Sequence, residues 1–216
     1  MPIDYKKIDK HLYLPQTTPG IIEVPEMAFL MVDGKGDPNT SAAYATALEL
    51  LYGLSYTIKM SPKSGQAPLG HVDYVVPPLE GLWSLDDGGE FKGAGAHIPD
   101  KGQFVWTAMI RQPSFVTAEV VETAKQLLAR KKPSFDLSRL RFEIWTEGLC
   151  AQLMHLGPYD EEPASIAALH QFIHASGCIE DFSPARRHHE IYLADPRKTA
   201  PDKLKTVIRH PIRRIS

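Results

Sequence analysis

Apolar residues along this chain change their spacing several times, and each change marks an element. Ala28 to Val32 is a run of strand formers that stops at Asp33-Gly34-Lys35-Gly36-Asp37-Pro38, so a strand is expected to enter a loop there. Asn39, Thr40 and Ser41 then offer capping groups, and Tyr44, Leu48, Leu51 and Leu54 at spacings of three and four predict a helix to about Ile58. Val72 to Val76 and Leu79 to Leu85 read as a strand that Pro77 and Pro78 bend or push to an edge, and Phe104 to Ile110 reads as another. From Phe115 to Lys132 the period is helical, with Thr117 as cap and Val120, Val121, Ala124, Leu127 and Leu128 on one face. Leu140 to Glu147 alternates apolar and polar residues, as a half-buried strand does.

The second half repeats the first. Ala151 to Asp160 can be laid on Ala28 to Asp37 with alanine, Leu-Met, glycine and aspartate in register, and both copies run into an amphipathic helix, the second carrying Ile166, Leu169, Phe172 and Ile173. Each copy later reaches an aromatic strand, Leu82-Trp83-Ser84-Leu85-Asp86 and Ile191-Tyr192-Leu193-Ala194-Asp195. The order in both halves is strand, helix, strand, strand. The helix between Phe115 and Lys132 has no counterpart and reads as a connector.

Composition narrows the function classes. The 216 residues carry 24 basic and 26 acidic side chains, so no global positive field draws in nucleic acid or anionic membrane, and neither is expected as a partner. No apolar run approaches the roughly 20 residues of a spanning helix, and the charged start after Met1 is unlike a secretion signal; a cytoplasmic protein is expected. Cys150 and Cys178 are too few for a disulfide framework and lack metal-ligand spacing, so buried thiols are expected. His170 and His174 stand one helical turn apart, but no third ligand is evident, so no metal is expected. Gly88-Gly89 and Gly93-Ala94-Gly95 lack the lysine and helix start of a phosphate loop, and no cofactor is expected. The basic stretch Arg209 to Arg214 reads as a solvated tail.

Four segments carry a resemblance: Pro78-Leu79-Glu80-Gly81-Leu82-Trp83, Met109 to Thr117, His155-Leu156-Gly157-Pro158-Tyr159-Asp160-Glu161-Glu162, and His189 to Pro201. Together, in order, they resemble the GyrI-like small-molecule-binding family. The resemblance implies an α+β fold of two strand-helix-strand-strand modules related by a pseudo-two-fold axis, forming a concave antiparallel sheet with helices outside and a groove between the modules. One domain is expected over residues 1–216, built from a first module at 1–112, a connector at 113–134 and a second module at 135–216. Members act as effector-binding domains of regulators, as free-standing binders or as a gyrase inhibitor. A standalone subfamily, to which the chain is most similar, hydrolyses cyclopropane-bearing DNA-alkylating compounds with an aromatic cage. No sequence is left at either end for a DNA-binding domain, which would separate the chain from the regulators.

Strand parity supplies candidate residues. If His188 to Leu193 is extended, Glu190 and Tyr192 share one face while Ile191 and Leu193 share the other. The repeat sets Trp83 where Tyr192 stands, and Gly81 where Glu190 stands. Glu190 is the candidate general base for water, Tyr192 the candidate donor to a developing oxyanion, and Trp83 the first cage aromatic. Trp106 is a less certain cage member, Tyr159 belongs equally to a groove mouth or to helix packing, and Glu80 is a reserve carboxylate on the face opposite Trp83. Against these stand plainer readings: Glu190 as an exposed residue paired with Arg186 or Arg187, and the tryptophans as core. Trp145 is core by default, and His188 and His189 point to opposite faces.

The expected function is binding of bulky, flat aromatic or cationic xenobiotics in a central groove, with hydrolysis of cyclopropane-bearing alkylators as its catalytic extension. The alternatives are a sequestering protein without turnover and, third, a gyrase-inhibitor-like interaction protein.

Overall fold

The computed structural model describes residues 2–86 and 100–215; Gly88-Gly89 and Gly93-Ala94-Gly95, read above, lie outside them. Twelve principal elements follow in order: α1 (Tyr5–Ile8), α2 (Lys10–Tyr13), β1 (Gly20–Lys35), α3 (Ala42–Met60), β2 (Leu79–Leu85), β3 (Phe104–Gln112), α4 (Ala118–Lys131), β4 (Arg141–Leu156), α5 (Glu162–Ala175), β5 (Cys178–Glu180), β6 (His188–Tyr192) and β7 (Lys205–Arg214). Ser41 caps α3 through the Tyr44 N–H, and Thr117 caps α4 through the Val120 N–H.

All strand pairings between these elements are antiparallel, in the order β4-β1-β3-β2-β6-β7-β5, and β4 also pairs with β7. Six strands thus close into a ring, with β5 added to the far end of β7. The expected concave sheet differs in this respect: both of its ends are joined. Closure is possible because β4 is long. The separate strands expected at 140–147 and from 151 are one strand of 16 residues, turned at Gly148, whose φ of 75° is a left-handed value that glycine adopts without steric cost.

Strand parity sorts side chains between the ring's interior and its outer surface. Phe29, Met31, Leu82, Met109, Ile191 and Val207 point inward, where Leu12 and Tyr13 join them from α2. Leu30, Val32, Trp106, Ala108 and Ile110 point outward under α3 and α4, and Leu153, Ile208 and Ile212 point outward under α5. Cys150 and Cys178 are buried free thiols. Among the described residues no helix is long and apolar enough to cross a membrane.

Two further expectations are corrected. Val72 to Val76 contributes only an isolated bridge, Tyr74 to Ile3, because Pro77 and Pro78 withhold the N–H groups a ladder needs before β2 begins at Leu79. Arg209 to Arg214 is no solvated tail but the end of β7, with Arg209 1% and His210 0% exposed. Arg209 is held inside the ring: its Nη1 donates to Glu147 Oε2 (2.9 Å), its Nε to Gln152 Oε1 (3.0 Å) and its Nη2 to the Leu12 carbonyl (2.9 Å). His189 completes this interior network, 3.0 Å from Glu147 Oε2 at one nitrogen and 3.0 Å from Glu80 Oε2 at the other.

Candidate functional site

β2 and β6 lie side by side with Gly81 opposite Glu190, Leu79 opposite Tyr192 and Trp83 opposite His188. Above their outer faces, between α3 and α5, opens a cavity of about 1530 Å³. The groove was expected on the face away from the helices; it lies on the face that carries them, and the two helices form its walls. The reason is that the inner face is fully occupied by the ring's own core and its charged network.

Glu190, Tyr192, Trp83 and Tyr159 all border the cavity, joined by Tyr44 and Glu162. The rings of Tyr44 and Trp83 are 5.9 Å apart, those of Trp83 and Phe104 5.7 Å, and those of Tyr159 and Tyr192 5.9 Å, the last two pairs edge to face. Trp106 stands apart from this group. It is fully buried beneath Tyr44, at 4.9 Å and 87°, with its ring lying across Gly34, where any Cβ would come within 2.2 Å of it. Trp106 therefore supports the aromatic wall from behind instead of facing a ligand. Glu80 is likewise absent from the cavity: it points into the ring, 1% exposed, and accepts from Tyr13 Oη at 3.2 Å. Trp145 is half-buried, edge-on to Phe29 at 6.0 Å.

A chain of hydrogen bonds runs along the cavity floor. Trp83 Nε1 donates to the Tyr192 hydroxyl (2.9 Å), which donates to Glu190 Oε2 (2.6 Å). Glu190 Oε1 lies 2.8 Å from His188 Nε2, and His188 Nδ1 lies 2.8 Å from His210 Nε2. The paired-arginine reading of Glu190 is thereby displaced: Arg186 serves Asp181 and the carbonyls of Glu147 and Leu149. Glu190 is also hydrogen-bonded to Glu162, the first residue of α5, whose side chain was given no role from sequence.

The two carboxyl groups are driven apart. Burial pushes Glu190 up, but His188, Tyr192 and Glu162 bonded to its oxygens more than offset this, and the net shift is downward. Burial and the neighbouring Glu190 charge both push Glu162 well above the usual carboxylate range. The two shifts run in opposite directions, which favours the proton on Glu162 over Glu190, and Glu162 Oε1 is left without a hydrogen-bond partner among the described residues. Burial, then the Glu190 charge, also raises the Tyr192 phenol, so it stays protonated and donating. Tyr159 is raised to about 12 by burial and by Glu162.

Glu162 sits inside one of the four segments that carry the resemblance, but helix-start geometry cannot be read by strand parity. Its only sequence signal is a carboxylate immediately before Pro163, at the entry to a helix whose apolar face is already assigned.

The GyrI-like small molecule binding domain model matches residues 113–213. Among solved structures, a hydrolase from Listeria innocua is 44% identical with a TM-score of 0.88, the match covering 98% of this chain and 100% of that one. An uncharacterized conserved protein from Listeria innocua is 47% identical with a TM-score of 0.89, covering 98% and 100%. The EcmrR C-terminal domain, at 13% identity and a TM-score of 0.51 over 94% of this chain and 99% of that one, shares the fold alone. No curated protein matches. An aromatic-walled cavity between α3 and α5 fits that match, and residues 113–213 of the chain belong to the GyrI-like small molecule binding domain family.

Proposed function

We propose that the cavity captures bulky, flat aromatic or cationic compounds and hydrolyses strained electrophiles among them, cyclopropane-bearing alkylators being the class the resemblance suggests. The observation that carries this reading is the Glu162–Glu190 pair set in an aromatic wall. Aromatic faces supply large contact area to a flat ligand and attract delocalised cations, and the Glu190 charge adds to the second preference. Of the two carboxyls, Glu162 has a buried oxygen without a hydrogen-bond partner among the described residues, whereas the oxygens of Glu190 already hold His188, Tyr192 and Glu162. The pair thus acts as one unit, as two carboxyls sharing a proton do.

In the proposed step, a water held at the pair attacks a cyclopropane carbon conjugated to a carbonyl. The new C–O bond forms as the ring C–C bond breaks, the electron pair moves onto the carbonyl oxygen, and the water's proton passes to the carboxyl pair. A proton from the pair or from Tyr192 then neutralises the oxyanion, so the product differs from the substrate by one water. Tyr192 donates its hydrogen bond to Glu190 in the resting arrangement, so its role as donor to substrate follows after Glu190 has gained a proton.

The register supports a division into modules 1–112 and 135–216 joined by the connector 113–134. Exchanging β1 with β4, β3 with β7 and β2 with β6 maps the ring onto itself, and Gly81 and Glu190, counterparts by the repeat, face each other across the central pair. An approximate two-fold axis would pass between them. The test of function is mass spectrometry of a cyclopropane-containing alkylator incubated with the protein: a gain of one water supports turnover. Unchanged mass with tight binding would leave the runner-up, a sequestering protein.

A further inference from the structure

A second group of chemically capable side chains lies behind the cavity floor. α5 presents His170 and His174 one turn apart on one face, β5 contributes Glu180, and β7 contributes His210. His170 Nδ1 is 2.7 Å and His174 Nε2 3.8 Å from the two oxygens of Glu180, and the His170 and His210 rings stand perpendicular with centroids 5.3 Å apart. One donor atom from each of His170, Glu180 and His210 lies within 4.8 Å of the others.

Hydrogen bonding does not account for this convergence. His210 is wholly buried and its Nδ1 has no hydrogen-bond partner among the described residues; the same holds for His170 Nε2 and for Glu180 Oε1, whose close approach to His170 lacks hydrogen-bond geometry. Buried nitrogen and oxygen atoms left unpaired cost free energy unless something binds them. Two imidazoles and a carboxylate form a donor set suited to zinc and its neighbours in the first transition row, and unlike the all-oxygen sets of calcium or magnesium.

We propose that His170, Glu180 and His210 bind one zinc-class divalent ion, with the largely exposed His174 able to swing in as a fourth ligand. Bonds of 2.0–2.1 Å in a tetrahedral site put ligand atoms about 3.3 Å apart, so binding draws the group together by side-chain rotation at the α5–β5–β7 junction. The ion also has a reach beyond its own ligands. With Nδ1 of His210 on the metal, its Nε2 carries hydrogen and donates to His188 Nδ1, and His188 then donates through Nε2 to Glu190. One direction is imposed on a wire that otherwise has two.

The test uses the full-length protein, stripped with chelator and titrated with zinc and, separately, with cobalt(II) as a spectroscopic probe. One equivalent is expected to bind, cobalt giving the absorption of a tetrahedral nitrogen–oxygen site. Because His210→Ala opens a hole in the core and can impair folding, the deciding variants are Glu180→Gln and His170→Ala, checked by circular dichroism. Each is expected to weaken binding by about tenfold or more, and His174→Ala by less. Substoichiometric binding to the parent protein overturns the proposal. So does one-equivalent binding that Glu180→Gln and His170→Ala leave unchanged, because the ion would then sit elsewhere. Neither outcome bears on the hydrolytic reading, which is measured on the cavity side.

Discussion

The indole N–H of Trp83 and the hydroxyl of Tyr192, 109 residues apart in sequence, are joined by a 2.9 Å hydrogen bond across two neighbouring strands. This bond fixes the two rings at the cavity floor and leaves the phenol proton for Glu190. Trp83→Phe keeps an aromatic face but removes the donor. Affinity for a flat fluorescent dye is expected to fall several-fold, alongside a stability loss of roughly 1–3 kcal/mol because Trp83 is itself buried. Trp106→Phe, behind the wall, should show a stability loss of similar size as the buried ring shrinks, but with dye affinity nearly kept.

Gly81 is the space in which that bond is made. A Cβ there would lie 2.6 Å from Trp83 Nε1 and 3.2 Å from the Tyr192 hydroxyl, while its backbone needs no special dihedral. Gly81→Ala should therefore displace the two rings instead of straining the strand. The expected result is loss of dye binding by about tenfold together with a destabilisation on the order of 1–3 kcal/mol, read by fluorescence titration and by denaturation. Unaltered binding would show that the two rings do not need their present positions.

Glu162→Gln and Glu190→Gln separate the carboxyl pair's duties. Both should lower single-turnover hydrolysis by about 10²-fold or more, because either change breaks the carboxyl pair. Glu190→Gln should weaken a cationic dye more than Glu162→Gln does, since the opposite shifts of the two groups favour the negative charge on Glu190. Turnover in Glu162→Gln equal to the parent would return the base role to Glu190 alone.

The interior network predicts a pH window for stability. Burial raises Glu147, but His189 and Arg209 more than offset it and hold it at about 2, below its ordinary 4.5. Its contribution is present above 4.5 and is lost as pH falls through the folded value. His189 is lowered by burial and raised by Glu147 and Glu80, with a net rise above 6.5, so its contribution is full below 6.5 and is lost as pH rises through the folded value. The two overlap between about 4.5 and 6.5. Urea midpoints across this range should show the parent protein losing stability on both sides. His189→Gln should flatten the alkaline side, and Glu147→Gln should cost about 3–5 kcal/mol because it leaves Arg209 buried without its carboxylate.

Much of this was legible in the chain. Alternation alone set Glu190 and Tyr192 on one face of β6 and sent Ile191 to the other, and it put Glu80 opposite Trp83; both hold because a period of two survives any packing. What alternation cannot give is depth. Trp83 and Trp106 are cross-strand partners on the same outer face, yet one borders the cavity and the other is sealed below Tyr44, a difference decided by the hollow over Gly34 on a third strand. Arg209 and His210 looked like a solvated tail because local charge says nothing about Glu147 or His188, their partners on the neighbouring strands β4 and β6. Glu162 was hidden for a related reason: its importance comes from Glu190, which reaches it only once α5 is laid across β6.

The closure of the six-stranded ring also governs how anything enters. The two halves are sewn together along two separate ladders, β1 with β4 and β2 with β6, so they cannot swing apart like jaws without tearing main-chain hydrogen bonds on one side or the other. The barrel is a fixed anvil. Any accommodation of ligands of different outline would fall to the side chains of α3 and α5 that wall the cavity, over a floor that main-chain ladders hold in place.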